Sequence, residues 1–468
     1  MPETICELSA ASMARRIRAG ELSAREVTEA HLRRIGEVNP RVNAIVTLVA
    51  EKALDAAAEA DESQARGAAL GPLHGLPVVH KDLQPTKGIR TTWGSPLFRD
   101  FVPEADSLLV ERTRAAGAIT LGKSNTPEFG AGSQTFNRVF GATRNPWDLT
   151  KTCGGSTGGG AVSLACGMAA LADGSDLGGS LRNPASFCGV VGLRPSPGRV
   201  PAWPVPMAWS PLSVEGPMGR TVEDVALFLS ALAGPDARAP LSDETPGAVF
   251  AGDLSRDFRG VRVAWWKDLG GVPVDPQVRR ITNAQRTVFE QLGCIVEEAE
   301  PDWAGVDETF RTLRLWAREL QMGELVKQHP EFIKETIRWE VEQATGLTAH
   351  DAGVALLRQT EIYHRMRQFL SRYEFFVLPV SQVPPFDVTT EYPAEIDGVR
   401  LDTYIDWMKS CYYISLTGAP AMSVPCGFTA EGLPVGIQIV GRHRDDFGLL
   451  QMAHAFEQAV GIQGRPNL

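Results

Sequence analysis

Histidine is scarce in this chain, eight among 468 residues, and none lies in the glycine-rich segment that dominates its middle. A Ser-His-Asp hydrolase needs an imidazole within reach of its nucleophile, so that arrangement has little to draw on. The seven cysteines are scattered with no C-x-x-C pair, which excludes a zinc ribbon and a disulfide framework and fits a reducing, cytoplasmic setting. No apolar run approaches the ~20 residues of a membrane span. The longest weakly polar stretch, 161–172, reads as a buried helix. The amino terminus lacks the apolar core of a signal peptide and reads as the start of an amphipathic helix. Basic residues are outnumbered, with a net charge of -10, so neither nucleic acid nor an anionic membrane is expected as the main partner.

What is present is glycine and serine, concentrated between Lys151 and Pro195 as KTCGGSTGGGAVSLACGMAALADGSDLGGSLRNPASFCGVVGLRP. Two serines, Ser156 and Ser180, stand beside glycines, whose missing Cβ lets a ligand approach backbone N–H groups closely. Such a site can hold an oxyanion. The first run, Gly154 to Gly160, suggests a phosphate cradle, but the P-loop requires a lysine that does not follow, and the dinucleotide fingerprint requires a preceding strand.

Around this segment the pattern alternates. Residues 9–67 read as helical, with Ser23 and Glu26 as a capping box, Gly20 closing the preceding helix and Asn39-Pro40 ending the one that Ser23 starts. Leu76–His80 and the run AITLG from Ala118 read as strands flanking a helix from Asp106 to Gly117, and a helix spans about 160–172. A proline- and tryptophan-rich loop, 199–217, leads to a helix capped by Thr221 and Asp224. Strand, helix and strand follow at 261, 276–292 and 294. Residues 303–372 are mostly helical with a break at Gly346. Strands from Phe375, Ala421 and Leu433 precede a last helix, 447–460. Strand and helix at this spacing predict an α/β fold. No repeat or long linker divides the chain, so one domain is expected.

Local chemistry leaves several readings open. Ser180 follows Leu177-Gly178-Gly179, a run whose N–H groups, with that of Ser180 itself, would serve an acyl-transfer intermediate; the alternative is an incidental serine in a glycine turn. Lys81 ends an apolar run before Asp82, where poor solvation would lower its pKa enough for it to act as a base; the alternative is an ordinary surface lysine. His74 and His80 read as structural.

Taken together, four ordered segments decide between these readings: GPLHGLPVVHKD (71–82), GKSNTPEFGAGS (122–133), FGATRNPWDLTKTCGGSTGGGAV (140–162) and GSDLGGSLRNPASFCGVVGLRPSPGRV (174–200). With them the chain resembles the amidase signature family. Further likeness runs through 211–234 and 418–441, and is weakest between about 240 and 410. The resemblance implies a large mixed, mostly parallel central sheet covered by helices on both faces. It divides the single domain into an N-terminal helical layer (1–67), a signature core (71–235), a variable substrate-lining region (240–410) and terminal strands and helix (411–468). It also implies roles: Ser180 as nucleophile, Ser156, after a cis peptide, as proton relay, and Lys81 as base. The N–H groups of Leu177, Gly178, Gly179 and Ser180 would form the oxyanion hole, and Asp176, Arg182 and Thr157 would support the loops. Metal and cofactor are not expected. Thr157 and Gly160 stand where the family commonly has serine, and Asn183 where glutamine is frequent.

The expected activity is hydrolysis of a C–N bond in a small apolar or aryl amide, with esters and N-aryl carbamates open to the same route. Trp203, Trp209 and Trp316 are the pocket candidates; Trp303, Phe310 and Trp339 are further aromatics of the middle region. The expected partner is a small-molecule substrate, and the chain is expected as a monomer or homodimer. Two other functions remain: the glutaminase subunit of a tRNA-dependent amidotransferase, and a catalytically silent binding protein of the same fold.

Overall fold

A computed structural model describes residues 5–461 and 464–468; the first four residues of the expected amphipathic start lie outside them. Eleven strands form the central sheet: β1 (Ile45–Leu48), β2 (Pro77–Lys81), β3 (Ile119–Ser124), β4 (Leu171–Asp176), β5 (Val191–Arg194), β6 (Val214–Gly219), β7 (Arg262–Trp265), β8 (Ile295–Glu298), β9 (Phe375–Pro379), β10 (Ala421–Phe428) and β11 (Pro434–Val440). Their spatial order is β1-β3-β2-β4-β6-β5-β10-β11-β9-β7-β8. The sheet is large and mixed. Parallel pairing forms two blocks, β3-β2-β4 and β9-β7-β8. The strands between these blocks pair antiparallel.

Each parallel block follows from a helical crossover, because parallel neighbours cannot be joined by a tight turn. The helix Leu108–Ala115 carries the chain from β2 to β3, and the helices Pro276–Ala284 and Arg286–Gln291 carry it from β7 to β8. Adjacent residues of the central strands enter different cores: Val78 and Leu171 join the larger apolar cluster, Val79 and Ala172 the smaller. That alternation is the period of a strand buried on both faces.

The structure departs from the sequence expectation at several places, among them the loop 199–217, whose end from Val214 belongs to strand β6. The run 161–172 is not one helix. The helix covers Gly158–Ala165, Gly167 reverses the chain at φ +67°, and β4 begins at Leu171. Residues 9–67 include β1, a four-residue strand antiparallel to β3. The helix from Ala24 runs through Pro40 to Val42 and ends at Asn43, whose φ is +53°; Pro40 carries no N–H, so the last turn gives up one i→i−4 bond. The helical middle breaks at Gly346 as expected and once more at 329–334, giving three helices, Val306–Gln328, Glu335–Ala344 and Ala349–Arg372. The capping boxes at Ser23 and Thr221 are both present. No helix among the described residues is long and apolar enough to cross a membrane.

Candidate active site

Lys81 is the last residue of β2 and is fully buried. Its neighbour His80 faces the opposite side, where Nδ1 contacts Asp173 Oδ2 and Nε2 lies 3.1 Å from Thr120 Oγ1. The other Asp173 oxygen accepts the Lys81 backbone N–H at 2.9 Å. Asp173 therefore ties β2 to β4 at the point where the lysine leaves the sheet. The carboxylate beside His80 comes from a neighbouring strand, 93 residues along the chain, which no local spacing could reveal.

The Lys81 ammonium donates to Ser156 Oγ at 2.7 Å and to Ser175 Oγ at 3.1 Å. Burial pushes its pKa down to about 8, against the opposing influence of Glu215, Asp176 and Asp173. Removing an ammonium from water disfavours its charged form, so the neutral amine becomes accessible near neutral pH. Burial likewise pushes the Glu215 carboxyl up to about 8, with Lys81 opposing. Glu215 accepts a hydrogen bond from Gln84 Nε2 at 2.5 Å, and Gln84 in turn accepts one from Ser107.

Ser156 sits in a loop that side chains from a preceding segment hold closely. Ser133 Oγ donates to Gly155 O at 2.5 Å, Thr135 Oγ1 donates to Gly154 O at 2.8 Å, and the Gly158 N–H returns a bond to Thr135 Oγ1 at 3.2 Å. A Cβ at Gly158 would fall 2.3 Å from that Thr135 oxygen, so glycine is required there. The peptide Gly155–Ser156 is cis. Gly154-x-Ser156-x-Gly158 spells the nucleophile-elbow pattern, yet no strand leads into it and a lysine is the partner of its serine, which sets it apart from that elbow.

Ser180 lies in the turn between β4 and the helix Arg182–Cys188. Asp176 organises this turn: its carboxylate accepts the N–H groups of Gly179 at 2.9 Å and Leu181 at 3.2 Å, and pairs with Arg182 at 2.8 Å and Arg194 at 3.3 Å. Burial alone would raise the Asp176 pKa, but the two guanidiniums hold it well below the usual carboxylate range. Arg182 also donates to Cys411 O at 3.0 Å, to Gln438 Oε1 at 2.5 Å and to Ser415 Oγ at 2.7 Å, which locks the turn onto the helix Lys409–Thr417 and onto β11. Gly179 takes φ +117°, and a Cβ there would lie 2.7 Å from both Asn183 Nδ2 and Cys411 Cβ.

Of the expected oxyanion donors, the Gly179 N–H donates to Asp176 at 2.9 Å, while among the described residues those of Leu177, Gly178 and Ser180 have no protein acceptor. Thr157 supports the loops through its backbone: its N–H donates to Ser180 O at 3.2 Å, while its buried hydroxyl has no partner. Its methyl-bearing side chain packs where Gly174 leaves room.

Ser156, Ser175 and Ser180 open on one cavity of about 570 Å³. Trp203 lines it, together with Trp93, Phe98 and Phe129, an aromatic wall that the sequence reading did not single out. Trp209 and Trp316 line an adjoining cleft instead. Trp303 and Phe310 are core residues, and Trp339 is exposed, lying edge-on to Tyr404. Ser175 and Glu215 were also missed. Glu215 had a readable signal, a lone carboxylate in the otherwise uncharged strand VEGPMG.

An amidase family model matches residues 26–450 of this chain. The chain belongs to the amidase signature family. This amidase signature hydrolase is 37% identical over 455 residues to the acylamidase of Rhodococcus erythropolis, covering 96% of this chain and 95% of that relative. It is also 37% identical over 465 residues to a glutamyl-tRNA(Gln) amidotransferase subunit of Geobacillus stearothermophilus, covering 94% of each. The crystal structure of a bacterial aryl acylamidase of the same family superimposes with a TM-score of 0.90 at 28% identity, covering 97% of this chain and 96% of that one.

Two outcomes follow from the geometry. Asp176→Asn leaves two buried guanidiniums without their carboxylate and should cost about 3 kcal/mol or more, read as a fall in the urea midpoint; an unchanged midpoint would show that the cluster does not hold the turn. Glu215→Gln removes a carboxylate that favours protonated Lys81, so the acid limb of the pH–rate profile should move to lower pH. A limb that moves upward contradicts the coupling.

Proposed function

We propose that the protein hydrolyses small neutral amides bearing an apolar or aryl group, through a covalent acyl-enzyme on Ser180. The observation that carries this reading is the 2.7 Å contact between a buried, pKa-lowered lysine and the hydroxyl of Ser156, beside Ser180 on one cavity. In the reacting state neutral Lys81 accepts the Ser156 proton while Ser156 accepts that of Ser180. Ser180 Oγ then bonds to the substrate carbonyl carbon. The N–H groups of Leu177, Gly178 and Ser180 are the available donors for the oxyanion. The proton returns along the same chain to the leaving nitrogen, the C–N bond breaks, and an amine departs. Water, deprotonated by the same relay, cleaves the Ser180 ester and frees the acid. Esters and N-aryl carbamates fit the same sequence of bonds.

The Ser180 hydroxyl has no hydrogen-bond partner among the described residues, so the last link of the relay forms when substrate fills the cavity. Catalytic hydrogen bonds commonly tighten in this way. The aromatic wall favours an aryl or alkyl substituent. Arg314 and Arg318 also reach the cavity, where they share one carboxylate, Glu340, at 2.5 Å and 2.9 Å.

A second reading, glutaminase subunit of a tRNA-dependent amidotransferase, draws on the 37% identity to such a protein. The two separate in one assay. The isolated chain should release aniline from a simple anilide, and Ser180→Ala should reduce the rate by at least about a thousandfold. Retained turnover in Ser180→Ala sinks the acyl-enzyme; turnover of glutamine alone, and only with partner subunits and tRNA, makes the second reading correct.

A further inference from the structure

The cavity at Ser180 does not end at the aromatic wall. A second cleft of about 510 Å³ adjoins it, and the two share Leu177, Ala202, Val205, Pro206, Glu215 and Ala317. Leu177 stands three residues before Ser180, so the junction between the lobes is beside the reacting carbonyl. The far lobe is built from the loop that follows β5 and from the helices Val306–Gln328 and Ala349–Arg372. Its lining is mostly apolar, with Val200, Met207, Trp209, Leu212, Leu313 and Trp316 prominent beside a few serines and glutamines, and Glu215 at the junction is its one charged side chain among the described residues.

Exposed apolar side chains mark this lobe. Trp209 is 76% exposed and Leu356 46%. A tryptophan held in water at the rim of a preformed apolar cleft leaves surface that a ligand would cover. Each lobe alone lies within the ~300–1,000 Å³ that encloses a small organic group. A substrate no larger than an anilide fits within the first and leaves the second empty.

We infer that the far lobe is a second substrate subsite, which holds the distal aryl or alkyl half of an elongated, neutral amide or carbamate while the near half occupies the aromatic cavity. The enzyme then cuts within the interior of such a molecule instead of at a small terminal group. This rests on the amidase reading above, and it extends that reading from a one-armed to a two-armed substrate. The lack of charge beyond Glu215 excludes an ionic distal group, because burying one there would leave it unpaired. Glu215 at the junction accepts an N–H from the linker between the two halves, the role Gln84 now fills.

The test uses binding, so that it does not depend on turnover. Full-length Ser180→Ala protein is titrated calorimetrically with a one-ring anilide and with the same anilide extended through a neutral alkyl linker to a second phenyl ring. The extended compound should bind at least about tenfold more tightly. Trp209→Ala, at an exposed position outside the core, should remove most of that advantage and leave the one-ring affinity unchanged. Equal affinities for the two compounds overturn the inference, as does a Trp209→Ala loss that is the same for both, or no binding of either by folded protein. If the wild type hydrolyses neither compound, the amidase reading itself fails; if it hydrolyses the anilide while the second ring gives no advantage, the second subsite alone fails. A far lobe covered by another protein chain would appear as equal affinities together with a complex on size-exclusion chromatography, and that result also counts against a substrate subsite.

Discussion

A lysine side chain with no access to water is the constraint around which this molecule is arranged. Ammonium groups are strongly hydrated, and a buried one persists only where neighbours replace the lost solvation or where it gives up its proton. Lys81 has both options: two serine hydroxyls at hydrogen-bond distance and three carboxylates farther away that oppose the effect of burial. The balance leaves a group that changes charge near neutral pH. Lys81, lowered to about 8, still lies above the ~6.5 of an ordinary histidine, yet part of it is neutral near pH 7.

The rest of the central sheet holds the partners of that lysine in register. Asp173 fixes the backbone of Lys81 from the adjacent strand, and Ser175, two residues on, supplies the second hydroxyl. One residue later Asp176 turns the other way and gathers Arg182 and Arg194 under the Ser180 turn. A single strand, β4, thus contacts both Lys81, through Asp173 and Ser175, and the Ser180 turn, through Asp176. A Cβ at Gly174 would collide with Thr157, so the strand can approach the Ser156 segment, and Cβ atoms at Gly158 and Gly179 would collide with Thr135 and with Asn183 and Cys411. The strand's edges are closed by parallel β2 and antiparallel β6, which brings Glu215 to the same cavity.

Much of this was legible in the amino-acid sequence, and the gaps have physical causes. Both capping boxes and the α/β alternation could be read because they are local patterns of polarity. β4 could not, because its residues LADGSD are small and continue an apolar run; Gly167, at a positive φ, was the punctuation that divides helix from strand. Ser156, Ser180 and Lys81 became candidates through motif likeness, and their convergence is long-range: 75 residues separate the lysine from its serine. The aromatic wall of Trp93, Phe98 and Phe129 escaped because tryptophan and phenylalanine in loops look the same in sequence whether they face a core or a cavity. Trp203, Trp209 and Trp316 were grouped as one pocket, yet the first lines one lobe and the other two line the next. Which lobe a side chain enters depends on how the loop after β5 folds against distant helices.

The most direct test is to follow the Lys81 ammonium itself. In protein carrying ¹³C-labelled lysine, the Lys81 Cε resonance, assigned by its loss in Lys81→Arg, should titrate with a midpoint near pH 8, the value to which burial pushes it. A midpoint at or above 10.5, where an ordinary lysine titrates, would contradict the account, because no neutral amine would then be present to accept the proton of Ser156.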